Sequence, residues 1–573
     1  MTHLNRRTGR FIVIAVLFLV GIAIAYGSGL LSHSTALFGK PDPSVSQVSQ
    51  SSPVSATADR ETTQDSGMRL AKSQTKRATI GVNLTGIADW STQWPFVDVF
   101  KTSRPWIPQR EGAEFGQGGT LKLTPEGWIA ALEPGQWAET VMMIDSPHYP
   151  AGLYTLLYEG DGKITFAFDN AKIVQQSPGR MQVQVKPDGA GVFLQIKETN
   201  PQNPIRNIRF IMPGFEQTYQ SQPFHPLFLE RLAKFKALRF MDWGATNNSE
   251  VREWADRSTP KAPTQASEKG VALEYLIQLA NTLKIDPWFT IPAKASDDFV
   301  RQFAQMVRDR LHPSLKAYIE YSNETWNTMF SQFNYVSEQG MARKLDENDY
   351  TAALRYSSER SVEIFKIFAQ VFGSQSKTRL VRVLAGQAAN PWTAEQILGW
   401  KDAYKQADAY AIAPYFDGDD QDKNGDSDLN DPKNVDKTLQ LTPEQVVDSL
   451  MVGIASGTKP MIEKNYKVAT EQFGLPLFAY EGGPHLTSHQ FPDDKEPRVT
   501  QLFAAANRHP KMREVYRVYL NTWQSSGGKL FNQFVDVART SKWGNWGALE
   551  YQNQDPQAAP KYQGLMDFIQ ANS

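Results

Sequence analysis

The sequence predicts an α/β protein: a (β/α)8 TIM barrel carrying an inserted all-β, sandwich-like domain after its first βα unit, preceded by an N-terminal transmembrane anchor. Three observations predict it. Apolar strands alternate with amphipathic helices along most of the chain, and eight such strands can be counted. The stretch 111–213 departs from that alternation, with short alternating runs between Gly/Asp/Pro turns. The composition, 41% hydrophobic, 21% charged and 11% aromatic, suits sizeable soluble cores and excludes a disordered, collagenous or polytopic membrane chain. With 60 Lys and Arg against 61 Asp and Glu the net charge is -1, so no global field attracts nucleic acid, which is not an expected partner. The absence of cysteine removes disulfides, thiolate nucleophiles and Cys-based metal sites.

Residues 1–40 read as an export segment. Arg6, Arg7 and Arg10 precede the apolar run Phe11 to Leu31, which is long enough as a helix to cross a hydrocarbon core of roughly 30 Å. The basic flank places the N-terminus in the cytoplasm and the remainder outside, tethered to the inner membrane. The alternative is a cleaved signal peptide, for which Ala23-Ile24-Ala25 supplies an A-x-A site. Residues 41–77 hold no aromatic residue, many serines, and Pro41, Pro43 and Pro53, and read as a disordered tether.

The barrel is assigned to 78–110 and 214–573. Strand one is Ile80 to Leu84, followed by a helix-like Phe96 to Lys101. In the β stretch, Leu153 to Tyr158 and Lys163 to Phe168 flank Glu159-Gly160-Asp161-Gly162 and predict a hairpin, and Met181 to Val185 and Val192 to Ile196 continue the all-β pattern. Strands two to eight are read at Leu238 to Asp242, Trp288 to Ile291, Ala317 to Tyr321, Leu380 to Leu384, Ala409 to Ala413, Leu477 to Tyr480 and Leu530 to Val535. The helices between them include Pro226 to Lys236, Val271 to Leu283, Asp297 to Leu311, Ala352 to Phe372 and Gln501 to Ser525. A doubly wound open sheet is disfavoured because no Gly-rich phosphate turn follows any strand.

Chemistry in such a barrel sits at the C-terminal ends of the strands. Strand four runs out in Asn323-Glu324 and strand seven in Tyr480-Glu481-Gly482-Gly483. Two carboxyls on strand ends across one barrel mouth can flank a glycosidic bond, one protonating the leaving oxygen and one attacking the anomeric carbon. Glu320, two residue periods earlier on strand four, is a rival acid, read as a deeper, paired interior residue.

With these residues the chain resembles the clan A superfamily of retaining glycoside hydrolases, whose acid/base is the Glu of an Asn-Glu pair ending strand four and whose nucleophile is a Glu ending strand seven. Gly81-Val82-Asn83-Leu84, Tyr321-Ser322-Asn323-Glu324-Thr325-Trp326-Asn327 and Tyr480-Glu481-Gly482-Gly483 are also similar to bacterial proteins described as glycosidases or cellulose-binding proteins. The resemblance implies Glu324 as acid/base and Glu481 as nucleophile, about 5 to 5.5 Å apart. It further implies that Arg239 hydrogen-bonds and charge-pairs the nucleophile, that Tyr415 orients it, that Asn323 binds the sugar 2-hydroxyl, and that Trp543 or Trp546 floors the subsite.

A second constellation follows strand six. Asp420, Asp422, Asn424, Asp426, Asp428 and Asp431, around Gly425, approach the spacing of an EF-hand calcium loop, with Asp instead of Glu at its twelfth position and Ser427 at the usually apolar eighth. A structural calcium ion or a solvated acidic turn both fit; no cofactor is required for catalysis. No H-E-x-x-H, G-x-S-x-G or P-loop pattern is present. The expected function is hydrolysis of β-glycosidic bonds in a polysaccharide, such as an endo-β-glucanase or exopolysaccharide hydrolase performs. The alternative is a non-catalytic glycan-binding or polysaccharide-assembly protein on the same barrel.

Overall fold

The computed structural model describes residues 77–144, 148–418 and 429–572. The anchor and nearly all of the tether lie outside the described residues; among those described, no helix is long and apolar enough to cross a membrane.

Eight parallel strands close into a barrel: β1 (Thr79–Asn83), β2 (Ala237–Arg239), β3 (Asp286–Ile291), β4 (Ala317–Tyr321), β5 (Leu380–Ala385), β6 (Ala409–Ile412), β7 (Leu477–Ala479) and β8 (Leu530–Gln533). Each pairs with the next, and β8 returns to β1 through Ile80 opposite Phe531 and Gly81 opposite Asn532. All eight were legible as apolar runs because a strand covered by helices outside and by its neighbours' side chains inside has no solvated face to spend polar residues on. The two-residue period divides them between two cores. Ala237, Trp288, Val383, Ala411 and Leu530 fill the barrel, while Val82, Leu238, Phe289, Ile319 and Phe531 face the surrounding helices. Those helices start where capping chemistry allows, as at Asp297–Arg310, where the Ser296 hydroxyl accepts from the Phe299 N–H.

Three expectations need correction. Phe96 to Lys101 holds only a single 3-10 turn, Val99–Thr102. Its apolar spacing serves two cores rather than one helix face: Phe96 packs with the barrel residue Trp243, and Phe100 stacks on Trp128 of the insert. Pro226–Leu232 is therefore the first barrel helix, and the insert springs from the loop after β1, inside the first βα unit, at the C-terminal mouth of the barrel. Gln501 to Ser525 is two helices, Glu496–Asn507 and Met512–Ser525, parted at Pro510, whose ring cannot occupy a helix interior.

The third correction lies in the insert. It has two four-stranded antiparallel sheets, one ordered Ile107–Arg110, Gln136–Ile144, Ala190–Thr199, Gly162–Phe166, the other Arg206–Ile211, Gly152–Glu159, Arg180–Val185, Ala171–Ser177. Residues from both, including Ala138, Leu194, Ile164, Leu156, Val183 and Phe210, share one core. Gly152–Glu159 and Gly162–Phe166 do not pair as a hairpin but belong to opposite sheets. The turn between them crosses against the 198–204 backbone: the Asp161 N–H donates to the Asn203 carbonyl and the Asn200 N–H to the Asp161 carbonyl. Glycine is required there, since a Cβ on Gly160 would meet the Pro204 carbonyl oxygen at 2.1 Å and one on Gly162 the Glu198 carbonyl oxygen at 2.1 Å. The insert also reaches the loop after β8, where His148 stacks on Tyr551 at 3.6 Å between ring centroids.

Close approach inside the barrel yields a stability prediction. A Cβ on Gly81 would lie 2.0 Å from Asn532 Oδ1 and 2.9 Å from the Ala237 carbonyl oxygen, whereas one on Gly457 meets nothing within 4 Å. Gly81→Ala should lower unfolding free energy by about 1–3 kcal/mol through overpacking, and Gly457→Ala, in a helical segment, should leave it unchanged or raise it by up to about 1 kcal/mol. Denaturant midpoints check this; equal midpoints for the two variants would refute it.

Candidate active site

The site is organised by Arg239, the last residue of β2, which is wholly buried. A guanidinium carries five N–H donors, and here all five are used. Nε and one Nη2 hydrogen reach Glu320 (3.0 and 3.1 Å), the other Nη2 hydrogen reaches Asn323 Oδ1 (2.8 Å), and Nη1 reaches Asn83 Oδ1 and Glu481 Oε2 (both 3.1 Å). One side chain thus connects the ends of β1, β2, β4 and β7. Burial works against its charge, but Glu320 and Glu481 outweigh it and hold the guanidinium above its usual pKa.

Glu320 sits below the mouth as read from sequence. Both its oxygens are engaged by Arg239, and Trp288 Nε1 donates to Oε2 at 2.7 Å. Glu324 lies above it because the chain kinks after β4: Ser322 and Glu324 adopt φ of 57° and 44°, in the left-handed region that side chains disfavour. Hydrogen bonds on either side hold that kink. Gln332 Nε2 donates to the Asn323 carbonyl (2.8 Å) and to Asn247 Oδ1 (2.7 Å), and the Asn327 N–H donates to the Glu324 carbonyl (2.8 Å). The Glu324 carboxyl accepts from Asn327 Nδ2 (2.9 Å) at Oε2 and from the Tyr480 hydroxyl (3.0 Å) at Oε1.

Glu481 follows β7 directly. Its Oε2 accepts from Arg239, and its Oε1 accepts from the Tyr415 hydroxyl at 3.1 Å. Tyr415 follows β6 and is wedged edge-on against Trp546 (5.5 Å between ring centroids) and Phe534 (6.3 Å). Burial, then the charge of Glu324, raises Glu481 against the opposing pull of Arg239. Burial likewise raises Glu324, while its hydrogen bonds from Asn327 and Tyr480 oppose the rise.

The structure therefore brings together Glu324, Glu481, Asn323, Arg239, Tyr415 and Trp546. Asn323 Oδ1 is held by Arg239 and one Nδ2 hydrogen donates to Asn247 (3.0 Å), which leaves its other N–H for a ligand. Trp543 is placed apart: it stacks on His489 at 4.9 Å and is 39% exposed. Of the acidic loop, residues 420–428 lie outside the described residues, so Asp420, Asp422, Asn424, Asp426 and Asp428 are not located. Asp431 caps the 3-10 turn Pro432–Asn434, accepting from the Lys433 N–H at 2.9 Å.

Several neighbours escaped the sequence reading. Tyr480, Asn327, Asn83, Gln332 and Asn247 bond the carboxyls or their supports. Asp242, just beyond β2, is pushed up to about 6 by burial and adds its charge to the field at Glu481. Asp242, Asn83 and Tyr480 had one available signal, their place at the C-terminal end of a counted strand. Gln332, in the first turn of the helix Ser331–Ala342, and Asn247, in a loop, had none.

No family model matches the chain, and no curated protein matches it. Among solved structures it is similar to the GH51 arabinofuranosidase from Xanthomonas axonopodis pv. citri at 11% identity, over 55% of this chain and 61% of that one, with a TM-score of 0.34. It is similar to a GH5-4 broad specificity endoglucanase from an uncultured bacterium (13% identity, 61% of this chain, 87% of that chain, TM-score 0.30) and to xylanase 10B from Thermotoga maritima (10%, 60%, 90%, 0.31). The chain thus spans less than two thirds of the arabinofuranosidase. At such identities and scores these likenesses carry no argument about activity, which rests on the geometry at the barrel mouth.

Proposed function

We propose that the chain is a retaining glycosidase acting on β-glycosidic bonds of a polysaccharide, with Glu481 as nucleophile and Glu324 as acid/base. The observation that carries this reading is the unequal environment of the two carboxyls. Glu481 lies 3.1 Å from a guanidinium, whereas Glu324 receives only a neutral amide and a neutral hydroxyl. Two mutually repelling, buried carboxyls ionise in separate steps, so between those steps the pair holds one proton. Arg239 favours the charge on Glu481 and leaves the proton with Glu324, which divides the roles of attacking and protonating group.

In the first step a Glu481 oxygen bonds to the anomeric carbon as the glycosidic C–O bond breaks and the leaving oxygen takes the proton of Glu324. In the second, a water oxygen replaces Glu481 on the anomeric carbon and its proton returns to Glu324, so configuration is retained. The free N–H of Asn323 is suited to the 2-hydroxyl, and Trp546, packed on Tyr415, to the sugar face. The insert leaves the barrel in the loop after β1, at the same end as this mouth. We place the working part outside the cytoplasm, held by or released from the segment Phe11 to Leu31.

Three measurements test the reading. Incubation with β-glucans, xylans, mannans and bacterial exopolysaccharides should release reducing ends from at least one, and Glu481→Gln should abolish release; binding without Glu481-dependent release would favour a non-catalytic glycan-binding protein. On the substrate so found, Glu324→Gln should lower kcat by about 10²–10⁴-fold. Near wild-type activity in that variant, with activity lost in Glu320→Gln, would transfer the acid role to Glu320. Finally, charge on either carboxyl raises the other, so the wild-type pair should titrate in two steps, and Glu324→Gln should leave one Glu481 step below the upper of the two. Carbon-13 NMR of glutamate-labelled protein reads this directly, and an unmoved or raised titration would count against the coupling.

A further inference from the structure

The hydrogen bonds on Glu324 differ in one respect that matters for a group required to give up a proton and take it back. Asn327 Nδ2, 2.9 Å from Oε2, can only donate, so Oε2 must remain an acceptor as long as that contact is kept. The Tyr480 hydroxyl, 3.0 Å from Oε1, can donate to an ionised oxygen or accept from a protonated one. Its position leaves little freedom to do anything else. Tyr480 is fully buried, its backbone N–H donates to the Ile412 carbonyl (3.0 Å), its carbonyl accepts from Asn83 Nδ2 (3.0 Å), and its ring lies 5.0 Å from the Arg239 guanidinium carbon.

We propose that Asn327 and Tyr480 decide which oxygen of Glu324 carries the catalytic proton, namely Oε1, and that Tyr480 follows this oxygen through both steps by reversing its hydrogen bond. The assignment rests on the glycosidase reading of the site and makes Tyr480 a positioning residue. Before bond cleavage, Glu324 holds its proton on Oε1, with the Tyr480 oxygen as an acceptor beside it. When the leaving oxygen takes that proton, Oε1 becomes anionic and the Tyr480 hydroxyl turns to donate to it, with Asn327 donating to Oε2. The attacking water then returns a proton to Oε1 and Tyr480 reverts to acceptor. Tyr480 is not itself the acid: burial between the charges of Glu324 and Glu481 holds its phenol well above the usual range, so it stays neutral throughout.

A hydrogen bond to a carboxylate is roughly twice as strong as one between neutral groups, so Tyr480, like Asn327, on balance favours the ionised form, and removing either should raise the pKa of Glu324. The test is carbon-13 NMR titration of the full chain labelled at glutamate Cδ, with the Glu324 signal identified by its loss in Glu324→Gln. Tyr480→Phe, which keeps the ring and its packing, should move the Glu324 titration up by about one pH unit. Asn327→Ala, at a half-buried position in the loop, should move it in the same direction and serves if Tyr480→Phe does not fold. With the glycoside that the wild type cleaves, Tyr480→Phe should slow the second step more than the first, so mass spectrometry finds a larger fraction of chain carrying sugar on Glu481. An unmoved or lowered Glu324 titration in both variants overturns the proposal. If the titration moves as expected but no glycoside is cleaved by the wild type, the hydrogen-bond assignment stands and the glycosidase reading falls.

Discussion

The site depends on one buried cation with no donor to spare. Arg239 directs its five N–H groups to Glu320, Asn323, Asn83 and Glu481, on three strands besides its own. A buried charge left unpaired costs several kcal/mol, and an Arg–Glu pair in a dry interior is stable only where geometry is good and the remaining polar atoms are satisfied. Glu320 supplies the bidentate counter-charge, and Trp288 donates a third hydrogen bond to it. That arrangement gives the buried Glu320 carboxyl its counter-charge and three hydrogen bonds. It also means that only one Nη1 hydrogen is available to Glu481, so that carboxyl is steadied but not fully neutralised.

The consequence is a gradient of polarity across the mouth. Below it lies a saturated ion pair. At the mouth, Glu481 is tied to a charge and a phenol, and Glu324 to an amide and a phenol. Asp242 and Glu324 both add negative charge against Glu481, and burial raises all three carboxyls. A set of acids with graded environments is how one site keeps one carboxyl protonated beside another that is not. The positive φ values of Ser322 and Glu324 belong to the same economy: the chain accepts local strain to bring Glu324 back over the mouth, and Gln332 with Asn327 holds the strained turn closed.

Much of this was legible in the sequence, for a physical reason. Barrel strands buried on both faces leave unmistakable apolar runs, and a Glu at the end of such a run has few places to point but the mouth; Glu324 and Glu481 are legible that way, whereas Arg239 and Tyr415 are implied only by the family resemblance. What was not legible depended on pairing at a distance. The apolar spacing of Phe96 to Lys101 reads as a helix face, yet Phe96 and Phe100 serve different cores. The Gly-Asp-Gly turn reads as a hairpin, yet it crosses between sheets because residues 198–204 pass beneath it. Gln332 and Asn247 carry no local signal, since an amide in a helix's first turn or in a loop becomes a support only when a distant segment arrives beside it. Trp543 and Trp546, three residues apart, are indistinguishable in sequence and are separated only by which neighbour each ring meets, His489 or Tyr415.

The point at which the insert leaves and re-enters the barrel bears on how the chain assembles. β1 must find β2 across the whole insert and β8 across nearly the full barrel, and closing long loops is what slows folding of non-local topologies. The two ends of the insert are stitched side by side: Val97 donates to the Pro223 carbonyl (2.9 Å), Met212 to the Val97 carbonyl (2.9 Å) and His225 to the Pro95 carbonyl (2.7 Å). Once the sandwich has folded on its own core, the barrel meets it as a short connection. At about 0.6 kcal/mol per doubling of loop length, that shortening lowers the entropic cost of bringing β1 to β2 by about 1–2 kcal/mol. A domain interrupting the first βα unit with its ends held together in this way adds little to the chain-entropy cost of the barrel it interrupts.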